Sequence, residues 1–530
     1  MSKRLTYLTA IYLIMVGYYL SFSKYGFNVW DEGGFANGSL RAMKGELAGR
    51  DFNPIGYMPG RYELGAFLYD VFGVHLQSLR IGIALLTPAM ILALYASALR
   101  IMPPGFAFLA SACLFVAPSM YYNRFFTLFA VLNMFCLIRF IESRKASTLF
   151  VLVVAFLASA YFKFEVALFS ACITIFVLAI FYFEHWRAGN TSLQELKIPL
   201  RQRGSVFWMI VFGMVGLISM LIYHVYSIDL YGKGVKQVLD SYTVWGNPFP
   251  EVLPVGKVYG AIGGHRYFMR LLFYIPLMLY VLTGALLILR FVNKRRRRDM
   301  ADYYLLIVLA FGVCSFGLVL WRAGQDNLMR TLACSYILLG YFLYLLWKRV
   351  VHSQISATGR IAMNLLVTLL PFLYVYEMNT HHGFYVGSIG AMKQETERVK
   401  IDRMDIFTNK DEAQWIPEVV DRIEKYSRPG EPVFALPLNP IFYFLSDRIN
   451  PTAYDWILPG MLNEKEESDV VETLRRNSPK VVVYVDIPID GKEERRFLNY
   501  APHIFQYLTE NYSFKEQIGI FQILLPRGKP

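Results

Sequence analysis

The chain has 530 residues, of which 55% are hydrophobic, 16% aromatic and only 18% charged, and its mean hydropathy is +0.37. So apolar a balance excludes a water-soluble enzyme, and the low charge fraction excludes a mainly disordered chain. The net charge of +13 fits either a nucleic-acid partner or the basic cytoplasmic loops of a membrane protein, so the positions of Lys and Arg decide.

A bilayer core of about 30 Å requires roughly 20 apolar residues per helix. Runs of this kind predict a polytopic α-helical membrane protein with about 11 membrane helices. They cover residues 5–22, 81–99, 106–121, 128–141, 149–162, 166–183, 206–228, 268–291, 303–320, 332–347 and 361–376. Several are short, which leaves a range of about ten to thirteen. Lys3 and Arg4 precede the first run, which has no small-residue cleavage site and reads as a retained anchor with a cytoplasmic N-terminus. Alternation then puts Arg139, Arg144, Lys145, the 187–203 loop, the basic run 294–298, Lys348 and Arg349 on the cytoplasmic side, as the positive-inside rule requires. The run 294–298 therefore reads as an anchor on anionic headgroups, and no nucleic-acid partner is expected. All five cysteines lie in apolar stretches without a CxxC pair, which supports neither a disulfide framework nor a zinc site.

Three segments fall on the outer face: 23–76, 229–267 and everything after Glu377. In the first, Asp31 and Glu32 follow the first span and precede a helical pattern of Phe35, Leu40 and Met43. A carboxylate there is held ionised by the helix N-terminus, and can accept a proton from an attacking hydroxyl or hold a divalent cation. Spacing alone equally allows Asp31 to be an N-cap. Pro59-Gly60 opens a second helix that presents Arg61 and Tyr62.

Arg124, Lys163, Arg322 and Arg330 lie in short outer turns, where basic residues are disfavoured. Charges at membrane depth face a cavity and a partner, so four on one face point to an anion such as a lipid phosphate. Taken singly, each can snorkel to the headgroups, and Lys163 can pair with Glu165. The 229–267 segment contains Asp229, Asp240, Trp245 and Glu251, residue types suited to sugars, followed by His265, which reads more readily as interfacial than catalytic. Beyond Glu377 the pattern predicts helices at 411–426, 464–476 and 493–511, strands at 432–436 and 480–485, and a terminal hairpin over 513–525. This is a small two- or three-layer α/β domain.

With Asp31-Glu32, the Met58-Pro59-Gly60-Arg61-Tyr62 helix start, Arg322 to Arg330 around Asp326, and Pro429-Gly430-Glu431-Pro432-Val433 in hand, the chain resembles the C-type (GT-C) glycosyltransferases. Within them it is most similar to the protein O-mannosyltransferase and lipid A aminoarabinose transferase group. The resemblance implies a membrane glycosyltransferase domain over 1–378 and a small C-terminal extracytoplasmic α/β domain over 379–530. It implies inverting transfer of a hexosyl or pentosyl group from a polyprenyl-phosphate donor to an envelope lipid, glycan or protein, at the periplasmic face of a bacterial inner membrane. The catalytic acid would fall on Asp31, paired with Glu32. Lys163 or Arg124, with Arg322 and Arg330, would hold the donor phosphate, and Arg61, Tyr62, His265 and Asp326 would contact substrate. Relatives often carry a His just after the late acid, where this chain has Asn327, Leu328 and Met329, which weakens a catalytic role for Asp326. No metal is required, and a divalent cation, Mg or Mn, would be held by Asp31 and Glu32 if the chemistry uses one. The rival class is a multi-pass lipid or glycan transporter or flippase, whose charges would sit at the midplane.

Overall fold

Apolar helices make up most of the chain as far as Thr380 in the computed structural model, which describes residues 3–54, 57–115, 124–187, 265–292, 299–320, 325–352, 356–380 and 389–527. They are α1 (Lys3–Ser21), α2 (Asp31–Met43), α3 (Pro59–Phe72), α4 (Leu76–Ala98), α5 (Pro104–Phe115), α6 (Phe125–Ser143), α7 (Ala146–Phe162) and α8 (Phe164–Arg187). Then come α9 (His265–Val292), α10 (Met300–Phe316), α11 (Gln325–Thr331), α12 (Ala333–His352) and α13 (Ala357–Thr380). Among the described residues, six helices are long and apolar enough to cross a membrane: Leu76–Ala98, Phe125–Ser143, Phe164–Glu184, Phe273–Val292, Ala333–Val351 and Ala357–Tyr374. Four shorter apolar helices accompany them. The chain is a multi-pass membrane protein. The expected span at 206–228, the 187–203 loop after its first residue, and the 294–298 run lie outside the described residues.

The helices have chemically different ends. Arg100, just past α4, reaches Glu142 in the last turn of α6 at 3.1 Å, and Glu142 also takes Arg139. Arg290 pairs with Asp302 at 2.7 Å. The opposite end of α4 meets the C-terminal segment, where Leu76 N donates to the Arg403 carbonyl at 2.9 Å. At that end lie α2 and α3, which pack on each other, and α3 packs on α4.

After α14 (Ile389–Gln394), β1 (Glu397–Ile401) and β2 (Met404–Thr408) form an antiparallel hairpin. The chain continues through α15 (Lys410–Tyr426), β3 (Val433–Leu436), α16 (Ile441–Ser446), α17 (Glu464–Arg476), β4 (Val481–Val485), α18 (Phe497–Tyr500), α19 (Pro502–Asn511), β5 (Tyr512–Ile518) and β6 (Phe521–Pro526). The four-stranded sheet has the order β3-β4-β6-β5, parallel between β3 and β4 and antiparallel elsewhere.

Side chains alternate across a strand, and here they divide between two cores. Val433, Ala435, Val481, Val483 and Val485 pack with Ile416, Val419 and Ile423 of α15. Phe434, Leu436, Val482 and Tyr484 pack with Leu474 of α17 and Ile504 of α19. The layering is therefore helix, sheet, helix, and strands buried on both faces read as continuous apolar runs. The single helix expected over 493–511 is divided into a turn at Glu493–Arg495, the short α18 and the ten-residue α19. Pro502 supplies no N–H and pushes Ala501 out of the helical region, to φ −137°. Sequence reading also missed the β1–β2 hairpin and α16.

Where α14 leads into β1, Glu395 is 9% exposed, with Oε2 lacking a hydrogen-bond partner among the described residues. Burial, and then the neighbouring Glu412 carboxylate, push its carboxyl up to about 7. A carboxyl raised in the folded state stabilises the fold below its unfolded value, and that contribution is lost as pH rises through about 7. The melting temperature is expected to fall between about pH 4.5 and 7 in the wild type, and to fall less steeply in Glu395→Gln. Differential scanning fluorimetry across that range measures the difference.

Candidate active site

The carboxylates Asp31 and Glu32 begin α2 and have separate fates. Glu32 is 2% exposed and receives Arg80 of α4 in a bidentate pair, Nη2 to Oε2 at 2.6 Å and Nε to Oε1 at 2.9 Å. Arg80 also donates to the carbonyls of Ser23 (2.6 Å) and Gly26 (2.9 Å), and Asn28 N reaches Glu32 Oε2 at 3.2 Å. Both Glu32 oxygens are therefore engaged, and the residue is set as an anchor between α2 and α4.

Asp31 is half-buried and is the first residue of α2, not its cap. Capping falls to Asn28, whose Oδ1 accepts from Trp30 N (3.1 Å) and Asp31 N (2.8 Å). The Asn28 side-chain amide also donates to Asp31 Oδ2 at 3.2 Å. The Asp31 carboxylate is thus steered by Asn28 without being used up in a helix cap.

One turn on, Phe35 carries the site toward α3. Arg61 is 2% exposed, and its guanidinium carbon lies 3.8 Å from the Tyr57 ring centroid, 4.6 Å from that of Phe35 and 5.5 Å from that of Tyr62. Its Nε is buried with no hydrogen-bond partner among the described residues. Rings attract the cation through their quadrupoles but offer it no charge. The Lys163 ammonium sits 4.3 Å from the same Tyr57 ring and pairs with Glu165 at 2.6 Å. The two cations meet because α3 starts hard against the end of α7. A Cβ on Gly60 would lie 2.5 Å from Cδ1 of Tyr161 and 2.8 Å from its carbonyl oxygen. The Tyr161 hydroxyl also donates to Glu63.

Aromatic contacts bring in the remaining turns. Phe125, which follows Arg124, packs on Phe35 (6.3 Å) and Phe162 (5.0 Å). Arg124 is buried beside it. Thr127, one position past Phe126, donates to the Arg330 carbonyl of α11 at 3.0 Å. The chain segments bearing Asp31, Arg61, Arg124, Lys163 and Arg330 thus converge. Tyr62 is placed otherwise, with its hydroxyl given to the Pro54 carbonyl at 2.9 Å and its ring packed edge-on against Phe52. Arg322 lies outside the described residues, as do Asp229, Asp240 and Glu251. His265 opens α9 and Asp326 lies in α11.

Sequence reading missed Arg80, Tyr57 and Asn28. Arg80 carried a usable signal, a charge at the outer edge of an apolar run where the positive-inside rule disfavours it. Tyr57 and Asn28 carried none.

No known family profile matches the chain, and no curated protein matches its sequence. Solved structures match it in shape. ArnT of Cupriavidus metallidurans, bound to undecaprenyl phosphate, aligns over 98% of this chain and 97% of its own at a TM-score of 0.54 and 13% identity. AglB oligosaccharyltransferase of Archaeoglobus fulgidus, bound to an inhibitory peptide and a dolichol-phosphate, aligns over 98% of this chain and 74% of its own, at 0.51 and 11%. The fold is that of the C-type membrane glycosyltransferases.

The Archaeoglobus oligosaccharyltransferase was also solved with zinc and sulfate, and aligns at a TM-score of 0.51 and 12% identity over 97% of this chain and 72% of its own. The chelating role expected of Asp31 with Glu32 does not fit this chain, since Arg80 takes both Glu32 oxygens. Among the described residues no group of three or more His, Cys, Asp or Glu is arranged to hold a metal.

Removing one partner of a buried pair strands the other charge, at about 3–5 kcal/mol. Glu32→Ala is expected to lower stability by about that amount, whereas Glu32→Ala with Arg80→Met recovers most of it. Detergent-solubilised unfolding measures both. A mild effect of Glu32→Ala would remove the anchor role.

Proposed function

We propose that this chain transfers a sugar from a polyprenyl-phosphate-linked donor to an envelope lipid, glycan or protein acceptor on the periplasmic face of a bacterial inner membrane. Residues 1–378 would be the membrane transferase and 379–530 its periplasmic domain. The observation that carries this reading is Arg61, a buried cation caged by rings, with a bare Nε and a second cation on the shared Tyr57 ring. An uncompensated buried charge is costly, and a phosphate is the partner that would satisfy it. ArnT and AglB, which share the fold, were solved with polyprenyl-type phosphates bound.

In the reaction, the acceptor hydroxyl gives its proton to Asp31 while its oxygen bonds to the anomeric carbon. The bond from that carbon to the phosphate oxygen breaks, and the polyprenyl phosphate leaves with the electron pair. Arg61 and Lys163, with Arg124, Arg330 and Arg322 in support, offset the charge on the leaving phosphate. Inversion at the anomeric carbon is what the family resemblance implies. Glu32 becomes a positioning residue and Tyr62 a packing residue. Transport is less favoured, because these groups gather at helix ends, where α3 starts against the end of α7.

Asp31→Asn keeps the shape but loses the base. Turnover should fall about a hundred- to ten-thousand-fold with donor binding kept, whereas Arg61→Met should lose donor binding itself. Assays with polyprenyl-phosphate sugars separate the two, and near-normal transfer by Asp31→Asn sinks the base assignment. For the topology, an alkaline phosphatase fusion after Arg403 should be active and one after Arg298 inactive. The reverse pattern would overturn the periplasmic placement.

A further inference from the structure

The helix that carries Asp31 is gripped along a second face by the C-terminal domain. Gly33, Asn37 and Arg41 recur every fourth residue on α2 and so share that face. A Cβ on Gly33 would lie 2.7 Å from the Ile441 backbone nitrogen, and one on Gly34 would lie 2.9 Å from Cζ2 of Trp456. Further along, Asp455 is 3% exposed and accepts from Asn37 Nδ2, Arg41 Nη1 and Asn450 Nδ2, each at 2.9 Å. Arg41 also donates to Glu46 at 2.7 Å, to the Asp51 carbonyl at 3.1 Å and to the Thr452 carbonyl at 3.3 Å.

α2 needs this support. Three of its thirteen residues are glycine, a poor helix former. The Glu32–Arg80 pair fixes only its first turn, and a rod fixed at one point can still pivot. From Glu32 to Arg41 the helix rises about 14 Å, so a second attachment there arrests the pivot.

We propose that the C-terminal domain is a positioning element of the active site. The Gly33–Gly34 slot receives α16 and Trp456, Asp455 latches the far half of α2, and together they hold Asp31 on the acceptor hydroxyl. Asp455 is a positioning residue, acting through α2 and touching no reacting atom. The proposal rests on the transferase reading above.

The test uses the full-length chain in nanodiscs, with Asp455→Asn, which is isosteric, and Gly34→Ala as an independent variant. A misplacement near 1 Å costs about a hundredfold in rate, so kcat should fall about ten- to a hundredfold while donor KM changes less than about twofold. In the Asp31→Asn background, Asp455→Asn should cause no further loss, because both act through one group. An unchanged kcat in the wild-type background, or an equal further loss in the Asp31→Asn background, overturns the proposal. Amide hydrogen exchange gives a readout independent of activity. Asp455→Asn should speed exchange across residues 31–43 and leave α4 unchanged, and unaltered exchange in α2 overturns the clamp whatever the rates. Normal turnover by Asp31→Asn would instead sink the base assignment on which the proposal rests, leaving the exchange result to decide the clamp.

Discussion

The buried pair of Glu32 and Arg80 is the joint on which one end of the bundle is built. Taking two charges out of water is costly, and the cost is offset only when close to every donor and acceptor finds a partner. Here Arg80 bonds both Glu32 oxygens and the carbonyls of Ser23 and Gly26. A single guanidinium thus ties together α4, the turn leaving α1 and the first turn of α2. Because successive residues on a helix are about 100° apart, anchoring Glu32 also sets the side of the helix from which Asp31 leaves, though not the tilt of the helix itself.

From that joint the site is assembled with rings. Phe35, Phe125 and Phe162 connect α2, α6 and α7, and Tyr57 sits between Arg61 and Lys163. Lys163 is also paired with Glu165, whereas the rings around Arg61 attract that cation without neutralising it. A salt bridge to Arg61 would have made that cation structural, as it did for Arg80. The two arginines differ in kind, since one is bonded to a carboxylate and the other is caged by rings.

The C-terminal domain belongs to the same construction. Its sheet is covered on both faces, and one of its two cores is continuous with that of the membrane helices. Asp455 binds Asn37 and Arg41 of α2 in a site removed from water, where such bonds are strongest. The helix with the candidate base is therefore held between two charged contacts, one contributed by the bundle and one by the domain.

The sequence by itself determined the elements whose cause is local. Runs of apolar residues marked α1, α4 to α10, α12 and α13, because length and hydropathy are properties of a segment. The β-branched run at 480–485 marked β4, the apolar stretch 432–436 marked β3, and the acidic start at Glu464 marked α17. The placement of Asp31 at a helix start and the misfit of Arg124, Lys163 and Arg330 with the positive-inside preference were equally legible. The tertiary structure decided the partners. Nothing in the order of residues distinguishes Asp31 from Glu32 until Arg80, 48 positions later, claims one of them. Nothing marks Asp455 until Asn37, 418 positions earlier, is brought to it. A charge acquires its role from what lies within a few ångströms of it, and that distance is set by how distant segments pack.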